Sequence, residues 1–134
     1  MKRLLHKFQT AADLVPQPVL RKAEKPTRMG VLYFGSTSPA MQEALDVLTA
    51  NGIHIDAMRL RAFPFPASVE NFIAEHDKVF VVEQNRDGQM QSLLVNELAI
   101  DPARLIKVLH YDGTPITARF ITQFIEQNLQ LEAA

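Results

Sequence analysis

Runs of apolar residues separated by polar turns divide the chain into alternating strands and helices. The clearest strand lies at residues 79–82, where four consecutive apolar residues end abruptly in Glu83, Gln84 and Asn85. A strand that is apolar on both faces must be covered on both faces. Because two helical patterns precede it and two follow it, the pattern predicts the middle strand of a mainly parallel sheet, with helices packed above and below.

The first 28 residues have a different character. Residues 2–14 place apolar side chains near helical spacing and predict one amphipathic helix. Three prolines then force extended backbone, so we interpret residues 15–28 as a linker. Val19 and Leu20 can add an edge strand there, because flanking prolines are tolerated at a sheet edge.

A strand, a turn and a helix follow the linker. Residues 29–34 predict the strand, and Gly35-Ser36-Thr37 the turn. Ser38 as N-cap, with proline at the first helical position, favours a helix start there. Apolar residues at spacings of three and four continue this helix, and Asn51-Gly52 predicts its left-handed end.

The same strand-and-helix alternation continues to the end of the chain. Residues 53–61 predict a strand whose apolar alternation slips, which indicates either a bulge near Ala57 or burial of both faces from there on. A stiff Phe-Pro-Phe-Pro loop and a short helix lead to the strand at 79–82. The pattern then predicts a helix at 89–99, a turn capped by Asp101, a strand at 105–109 and a last helix capped by Thr117. Four such units predict one three-layer α/β/α domain at residues 29–134.

Composition excludes several classes of function. At 134 residues the chain fits one domain, and the absence of cysteine excludes disulfides, a thiolate nucleophile and cysteine-bound zinc or iron–sulfur clusters. The four histidines are scattered, so we expect no metal site. The sequence has no apolar run long enough to span a bilayer and no signal-peptide core, which predicts a cytoplasmic protein without a membrane contact.

Charge separates the two parts of the chain. Residues 1–28 hold seven basic and two acidic residues, whereas residues 29–134 hold seven basic and thirteen acidic ones. A basic arm of this kind binds nucleic acid in some proteins. We favour a solvated connector that rests on its own acidic domain or on a neighbouring one, and we expect no nucleic acid partner.

The polar groups at the strand ends allow more than one interpretation. The Gly35-Ser36-Thr37 turn could bind an anion at the following helix, but it lacks the further glycines or lysine of a nucleotide site, and a cap-and-turn role is favoured. Glu83 could act as a buried acid or base. We favour a carboxylate that holds adjacent backbone N–H groups or one of the arginines at positions 59, 61 and 86.

Other polar side chains have ordinary structural interpretations. Arg59 and Arg61 could bind an anion, although pairing with an acid is the commoner case. His54 and His76 lie next to acids in sequence and are expected to be exposed. Asn85 more often satisfies backbone groups than it touches a substrate. No nucleophile, base and oxyanion site come together in these patterns.

Four motifs in order carry a resemblance to a known family. They are Gly35-Ser36-Thr37, the Leu-Arg-Ala-Phe-Pro-Phe-Pro stretch at 60–66, the Val-Val-Glu-Gln-Asn stretch at 81–85 with Gly88-Gln89, and Tyr-Asp-Gly-Thr-Pro-Ile-Thr at 111–117. From about Asp13 to about Ile125 the chain resembles the C-terminal domain of the alpha subunit of 2-oxoacid:ferredoxin or flavodoxin oxidoreductases, a transketolase C-terminal-like domain. The 2-oxoglutarate type is the most similar.

The resemblance implies a part in the oxidative decarboxylation of a 2-oxoacid to an acyl-coenzyme A. It implies thiamine diphosphate, magnesium and iron–sulfur clusters bound by other domains and subunits, none of them by this chain, with ferredoxin as a partner of the whole complex. We therefore expect an excised structural and assembly domain that is not catalytic alone. The residues expected at its interface are Gly35, Ser36, Thr37, Arg61, Glu83 and Asn85.

Two further possibilities stay open in the sequence. The chain could instead be a stand-alone α/β module that binds a phosphorylated small molecule at the Gly35 turn. A partly exposed sheet edge is compatible with a homodimer, although nothing specifies one.

Overall fold

The structure, a computed structural model that describes residues 1–133, alternates strands and helices along most of its length. Two 3-10 turns form at Gly35–Thr37 and Pro102–Arg104. The elements in chain order are α1 Lys2–Leu14, β1 Val19–Arg21, β2 Met29–Phe34, α2 Ser38–Ala50, β3 Asp56–Leu60, α3 Ala67–Glu75, β4 Lys78–Glu83, α4 Gln89–Leu98, β5 Leu105–Leu109 and α5 Ala118–Ala133.

The five strands form one sheet in the order β1-β3-β2-β4-β5. The last four are parallel, and β1 pairs antiparallel with β3 at the edge, as predicted for Val19 and Leu20. The prediction that the strand at 79–82 is the middle one is wrong. That position belongs to β2, because β3 and β1 extend the sheet on one side of it and β4 and β5 on the other.

Helices cover both faces of the sheet, which confirms the predicted three-layer α/β/α fold. On one face, α2 and α5 pack on the sheet through Met41, Leu48, Ile121 and Ile125. On the other, α3 and α4 contribute Phe72, Ile73 and Leu94. Helix α1 has no buried residue and lies outside both clusters.

Two local predictions are wrong in detail. Ser38 is not the N-cap of α2 but its first residue, and its backbone is already helical. The reason is that the 3-10 turn at Gly35–Thr37 starts the helical winding one turn earlier. The strand predicted at residues 53–61 is shorter in the structure, because β3 begins at Asp56. Asp56 pairs with Gly30 near the start of β2, so residues 53–55 lie before the paired part of the sheet. Burial of both faces explains the slipped alternation, since Ala57 and Met58 are buried and the register stays regular.

Gly30 marks the closest approach between the sheet and α3. A Cβ atom added there would lie 2.9 Å from Phe72 Cε1 and 3.2 Å from His76 Cγ. Gly30→Ala is therefore expected to lower the free energy of unfolding by about 2 kcal/mol, because the Phe72 ring must move in a closely packed core. Urea unfolding followed by circular dichroism measures this change.

The matched control restores space. Adding Phe72→Leu to Gly30→Ala should cost less than the sum of the two single changes. Additive losses would show that the ring is not the obstacle.

Candidate functional site

The strand order creates a crevice at the carboxyl edge of the sheet. From β2 the chain crosses to β3 on one side, while β4 lies on the other side of β2. Loops that leave β2 and β4 thus diverge, and ligands of open α/β sheets bind at such points. The Gly35–Thr37 turn and the loop after Glu83 form the two walls.

The two walls are joined by Gln84, whose contact with the turn the sequence did not predict. Gln84 Nε2 donates hydrogen bonds to Ser36 Oγ at 3.0 Å and to Thr37 Oγ1 at 3.1 Å. Ser36 is exposed and Thr37 is buried. The Gln84 amide therefore links an exposed and a buried hydroxyl group of the turn to the end of β4. Gly35 has a φ of +61°, a left-handed conformation that glycine adopts without strain.

Glu83 ends β4 with its side chain fully buried, at 0% exposure. Its Oε1 accepts hydrogen bonds from Met90 N at 2.6 Å and from Asn85 Nδ2 at 3.0 Å, and its Oε2 accepts one from Gln91 N at 3.1 Å. The carboxylate therefore satisfies N–H groups in the first turn of α4, where a negative charge is favourable. This confirms that it holds adjacent backbone N–H groups. Within residues 1–133, no ion pair joins it to Arg59, Arg61 or Arg86.

Asn85 folds the loop between β4 and α4. Its Oδ1 accepts from the backbone N–H groups of Asp87, Gly88 and Gln89 at 3.2, 2.8 and 3.3 Å. The expectation that Asn85 satisfies backbone groups is confirmed. Glu83 and Asn85 together fix the loop that carries Gln84 into the crevice.

A third loop closes one side of the crevice. An open cavity of about 460 Å³ is lined by Ser36, Gln84, His110, Tyr111, Gly113, Thr114, Pro115 and Ile116. His110 Nε2 lies 3.0 Å from the Thr114 carbonyl oxygen and 3.1 Å from Asp112 Oδ1. Hydrogen bonds from the Thr114 side chain and backbone hold the pKa of Asp112 below its ordinary value. The lining offers hydroxyl, amide and imidazole groups and no lysine or arginine.

Sequence reasoning missed the contributions of Gln84, His110 and Thr114. The 111–117 stretch was visible as a motif, but its closeness to Ser36 depends on β5 lying beside β4. Strand order was the missing information, since it decides which loops become neighbours.

Within residues 1–133, neither Arg59 nor Arg61 forms an ion pair with an acid, contrary to the expectation. Arg61 is exposed and lines a second cavity of about 310 Å³ with Gly35 and the apolar side chains of Phe34, Leu60, Phe63, Phe65, Met90 and Leu93. Arg59 is half-buried, and its Nε has no hydrogen-bond partner among residues 1–133.

His76 is buried at 2% exposure, so the expectation of an exposed side chain is wrong. Its Nε2 lies 2.8 Å from Asp56 Oδ2 and its Nδ1 lies 2.6 Å from the Phe72 carbonyl oxygen. His54 is half-buried, with its Nδ1 enclosed. The buried His76–Asp56 pair lies at the amino edge of the sheet, where β3 and β4 begin, away from the crevice.

Within residues 1–133, no three His, Asp or Glu side chains are arranged to hold a metal ion. Over the same range, no helix is both long and apolar enough to cross a membrane. The geometry suits a binding surface, with two cavities and fixed loops along one edge of the sheet.

The chain matches no protein-family model. It is 29% identical, over 115 residues, to the alpha subunit of 2-oxoacid:ferredoxin oxidoreductase 2 from Aeropyrum pernix, covering 82% of this chain and 17% of that subunit. The chain thus spans about one sixth of the length of this curated relative.

Three solved structures are similar. The 2-oxoglutarate:ferredoxin oxidoreductase from Magnetococcus marinus, solved with 2-oxoglutarate, coenzyme A and succinyl-CoA bound, has a TM-score of 0.79 at 27% identity, over 94% of this chain and 23% of that one. The alpha chain of a probable 2-oxoacid ferredoxin oxidoreductase from Thermoplasma acidophilum has a TM-score of 0.56 at 26% identity, over 85% of this chain and 97% of that one. A split-gene transketolase, described as an inactive beta4 tetramer, has a TM-score of 0.67 at 17% identity over 86% of this chain and 42% of that one, which shows the fold alone.

These comparisons confirm the resemblance to alpha chains of 2-oxoacid:ferredoxin oxidoreductases and the transketolase-like fold.

Proposed function

We propose that this chain is a structural and assembly domain of a thiamine-diphosphate-dependent 2-oxoacid:ferredoxin oxidoreductase. The observation that carries the proposal is its similarity, in sequence and fold, to alpha chains of such enzymes, of which it spans 17% in one and 23% in another. In this proposal the whole complex converts a 2-oxoacid to an acyl-coenzyme A, and other domains and subunits carry out the chemistry.

The donor groups of the chain support this division of labour. Iron–sulfur clusters require thiolates, and the chain has no cysteine. The crevice at Ser36 and Gln84 has no lysine or arginine in its lining to hold a diphosphate. The residues present therefore do not fit these cofactors, and we assign thiamine diphosphate, magnesium, clusters and the contact with ferredoxin to the rest of the complex.

We further propose that the carboxyl-edge loops face the partner domains. Gly35, Ser36 and Arg61 are exposed and would touch the partner directly. Thr37, Glu83 and Asn85 would act through the loops that they hold, because Thr37 and Glu83 are buried and Asn85 bonds to its own loop.

The division of the chain at residue 28 also stays a proposal. A basic helix and linker, residues 1–28, would precede the α/β domain at 29–134. Within this linker, Val19–Arg21 joins the edge of the sheet, so the linker and the domain share one hydrogen-bonded ladder.

The test is capture of partners from the source cells with the tagged chain. Ser36→Trp fills the crevice, and we expect it to reduce the recovery of the other oxidoreductase subunits at least tenfold, because a bulky ring there prevents close docking. Mass spectrometry quantifies the subunits, and reduction of ferredoxin by a 2-oxoacid and coenzyme A reports activity in the captured material.

Glu75→Trp is the matched control. Glu75 is exposed at the end of α3, just before β4 begins, and thus lies at the opposite edge of the sheet. Equal recovery with both variants would contradict docking at the crevice, and capture of no oxidoreductase subunit by the unaltered chain would overturn the proposed function.

The second cavity, which Gly35 and the exposed Arg61 line, favours a second candidate, a module that binds a small phosphorylated molecule. Isothermal titration of the chain with coenzyme A, thiamine diphosphate and nucleotides separates the two functions. The assembly function predicts no heat of binding, and a saturable isotherm that Ser36→Trp abolishes would favour the module.

A further inference from the structure

Helix α1 stands apart from the rest of the fold. None of its 13 residues is buried, and it lies outside both core clusters. It meets the domain at a shallow groove of about 170 Å³, which is lined by Phe8, Gln9, Ala12, Phe63, Pro64, Phe65, Glu97 and Leu98. Leu4, Leu5 and Phe8 are 57%, 58% and 49% exposed, so the apolar face of the helix stays largely in contact with water.

The local sequence of α1 does little to stabilise a helix. An isolated helix shorter than about 12–15 residues is marginal in water, and most helices in proteins gain their stability from a buried apolar face. The first turn of α1 holds Lys2 and Arg3 and no acidic residue, and the last turn holds Asp13 and no basic residue. Both arrangements are unfavourable in the field of the helix dipole. A partner that covers the apolar face would supply the missing stabilisation.

The basic residues of the first 28 positions divide into two groups. Three linker cations pair with aspartates of the α/β domain: Arg21 with Asp46, Lys22 with Asp56 and Arg28 with Asp77. In α1, by contrast, Lys2, Arg3 and Lys7 form no ion pair within residues 1–133. The acidic domain therefore neutralises the linker but not the helix, and the charges of α1 are complementary to an acidic surface outside this part of the chain.

The open face of α1 is continuous with the carboxyl edge of the sheet. Phe63 is 45% exposed and lines both the groove beside α1 and the second cavity, which Gly35 and Arg61 also line. A flat lipid surface can touch Leu4 and Leu5 but cannot follow the groove between the helix and the Phe63 loop. A folded protein surface can follow it, because protruding apolar side chains fill grooves and acidic residues around them face the cations.

We propose that the apolar face of α1, formed by Leu4, Leu5 and Phe8, docks on an apolar surface of another polypeptide whose acidic residues pair with the cations of α1. The identity of this polypeptide, a neighbouring domain or subunit of the oxidoreductase, rests on the proposed function. The contact adds a second docking area, on the basic arm, to the carboxyl-edge loops.

The test is capture of oxidoreductase subunits from the source cells with the 134-residue chain, tagged at its carboxyl terminus. Leu4→Gln combined with Leu5→Gln keeps good helix formers but removes the apolar contact, so we expect the recovery of the subunits to fall about tenfold. Leu131→Gln is the matched control. It removes a leucine that is 78% exposed on α5, and it should leave recovery unchanged.

A charge variant separates docking from the stability of the helix. Lys2→Glu combined with Arg3→Glu places acids in the first turn, where the helix dipole favours them, so the helical signal in circular dichroism should stay or rise. Recovery of the subunits should nevertheless fall about tenfold, because like charges then face the acidic partner. Arg119→Glu reverses an exposed charge on α5 and should leave recovery unchanged.

The possible outcomes are distinct. Full recovery with both α1 variants would overturn the docking of α1 and leave the proposed function intact, whereas capture of no oxidoreductase subunit by the unaltered chain would overturn both. A dimer of the isolated chain in multi-angle light scattering, dissociated by the double leucine variant, would assign the face to a second copy. Saturable binding to vesicles of phosphatidylcholine and phosphatidylglycerol, abolished by the same variant, would assign it to a membrane. Either of these two results would contradict the proposal.

Discussion

Replacement of Glu83 by alanine is expected to lower the free energy of unfolding by about 3 kcal/mol. The carboxylate accepts hydrogen bonds from two backbone N–H groups of α4 and from the side-chain amide of Asn85. The Glu83 side chain is fully buried. Removal leaves these donors without partners in a site that water does not reach. Urea unfolding followed by circular dichroism gives the free energy directly.

The design of the Glu83 experiment separates burial from charge. Glu83→Gln keeps the volume but offers a single oxygen, so it should recover only part of the loss. Glu75→Ala removes an exposed carboxylate that has no ion pair within residues 1–133 and should change stability by less than about 0.5 kcal/mol. If Glu83→Ala were as mild as Glu75→Ala, the hydrogen bonds at the start of α4 would not stabilise the fold.

Replacement of Asp56 by alanine is expected to have a comparable effect, also about 3 kcal/mol. Asp56 Oδ1 accepts a hydrogen bond from Ala23 N at 2.8 Å, and its Oδ2 lies 2.8 Å from His76 Nε2 and 3.4 Å from Lys22 Nζ. Alanine would leave the buried His76 ring without this partner. The exposed Asp46, which pairs with Arg21, is the control, and Asp46→Ala should cost less than about 1 kcal/mol.

The same carboxylate predicts a dependence on pH. Burial alone would raise the pKa of Asp56, but the hydrogen bonds from Ala23, His76 and Lys22 outweigh it and hold the pKa below its ordinary value. A depressed pKa stabilises the folded state above the unfolded value of about 3.9, and this contribution is lost as the pH falls through the folded pKa.

Comparison with Asp56→Asn isolates this contribution. The stability gap between the unaltered chain and Asp56→Asn should be full near neutral pH and should shrink as the pH falls below about 4. Other acids titrate in both proteins, so their effects cancel in the difference. A gap that stays constant down to the acid transition would show that Asp56 is not stabilised in its charged form.

Local patterns predicted the elements well because the signals are themselves local. The helix at 2–14, the strand at 29–34 and the strand at 105–109 appear with the predicted bounds. The cap at Thr117 is also confirmed, since its Oγ1 accepts a hydrogen bond from Phe120 N at 3.1 Å. Spacing and capping chemistry within one turn were sufficient for these.

Long-range contacts explain what the sequence did not reveal. His76 meets Asp56 across 20 residues, and Gln84 meets Thr37 across 47, so no local pattern reports either pair. Whether Arg59 has an acidic partner likewise depends on which elements lie beside β3. The six predicted interface residues all lie along one edge of the sheet or in its loops, and their role in docking stays a prediction.

The antiparallel pairing of β1 with β3 determines where this domain can be cut. A fragment that began at residue 29 would lose Val19–Arg21. The outer backbone N–H and C=O groups of β3 would then be unpaired, and a strand of another molecule could pair with them. It would also lose the hydrogen bond that the Ala23 N–H group donates to Asp56. The shortest self-sufficient piece therefore begins near Pro18, and shorter ones would be prone to aggregate through β3.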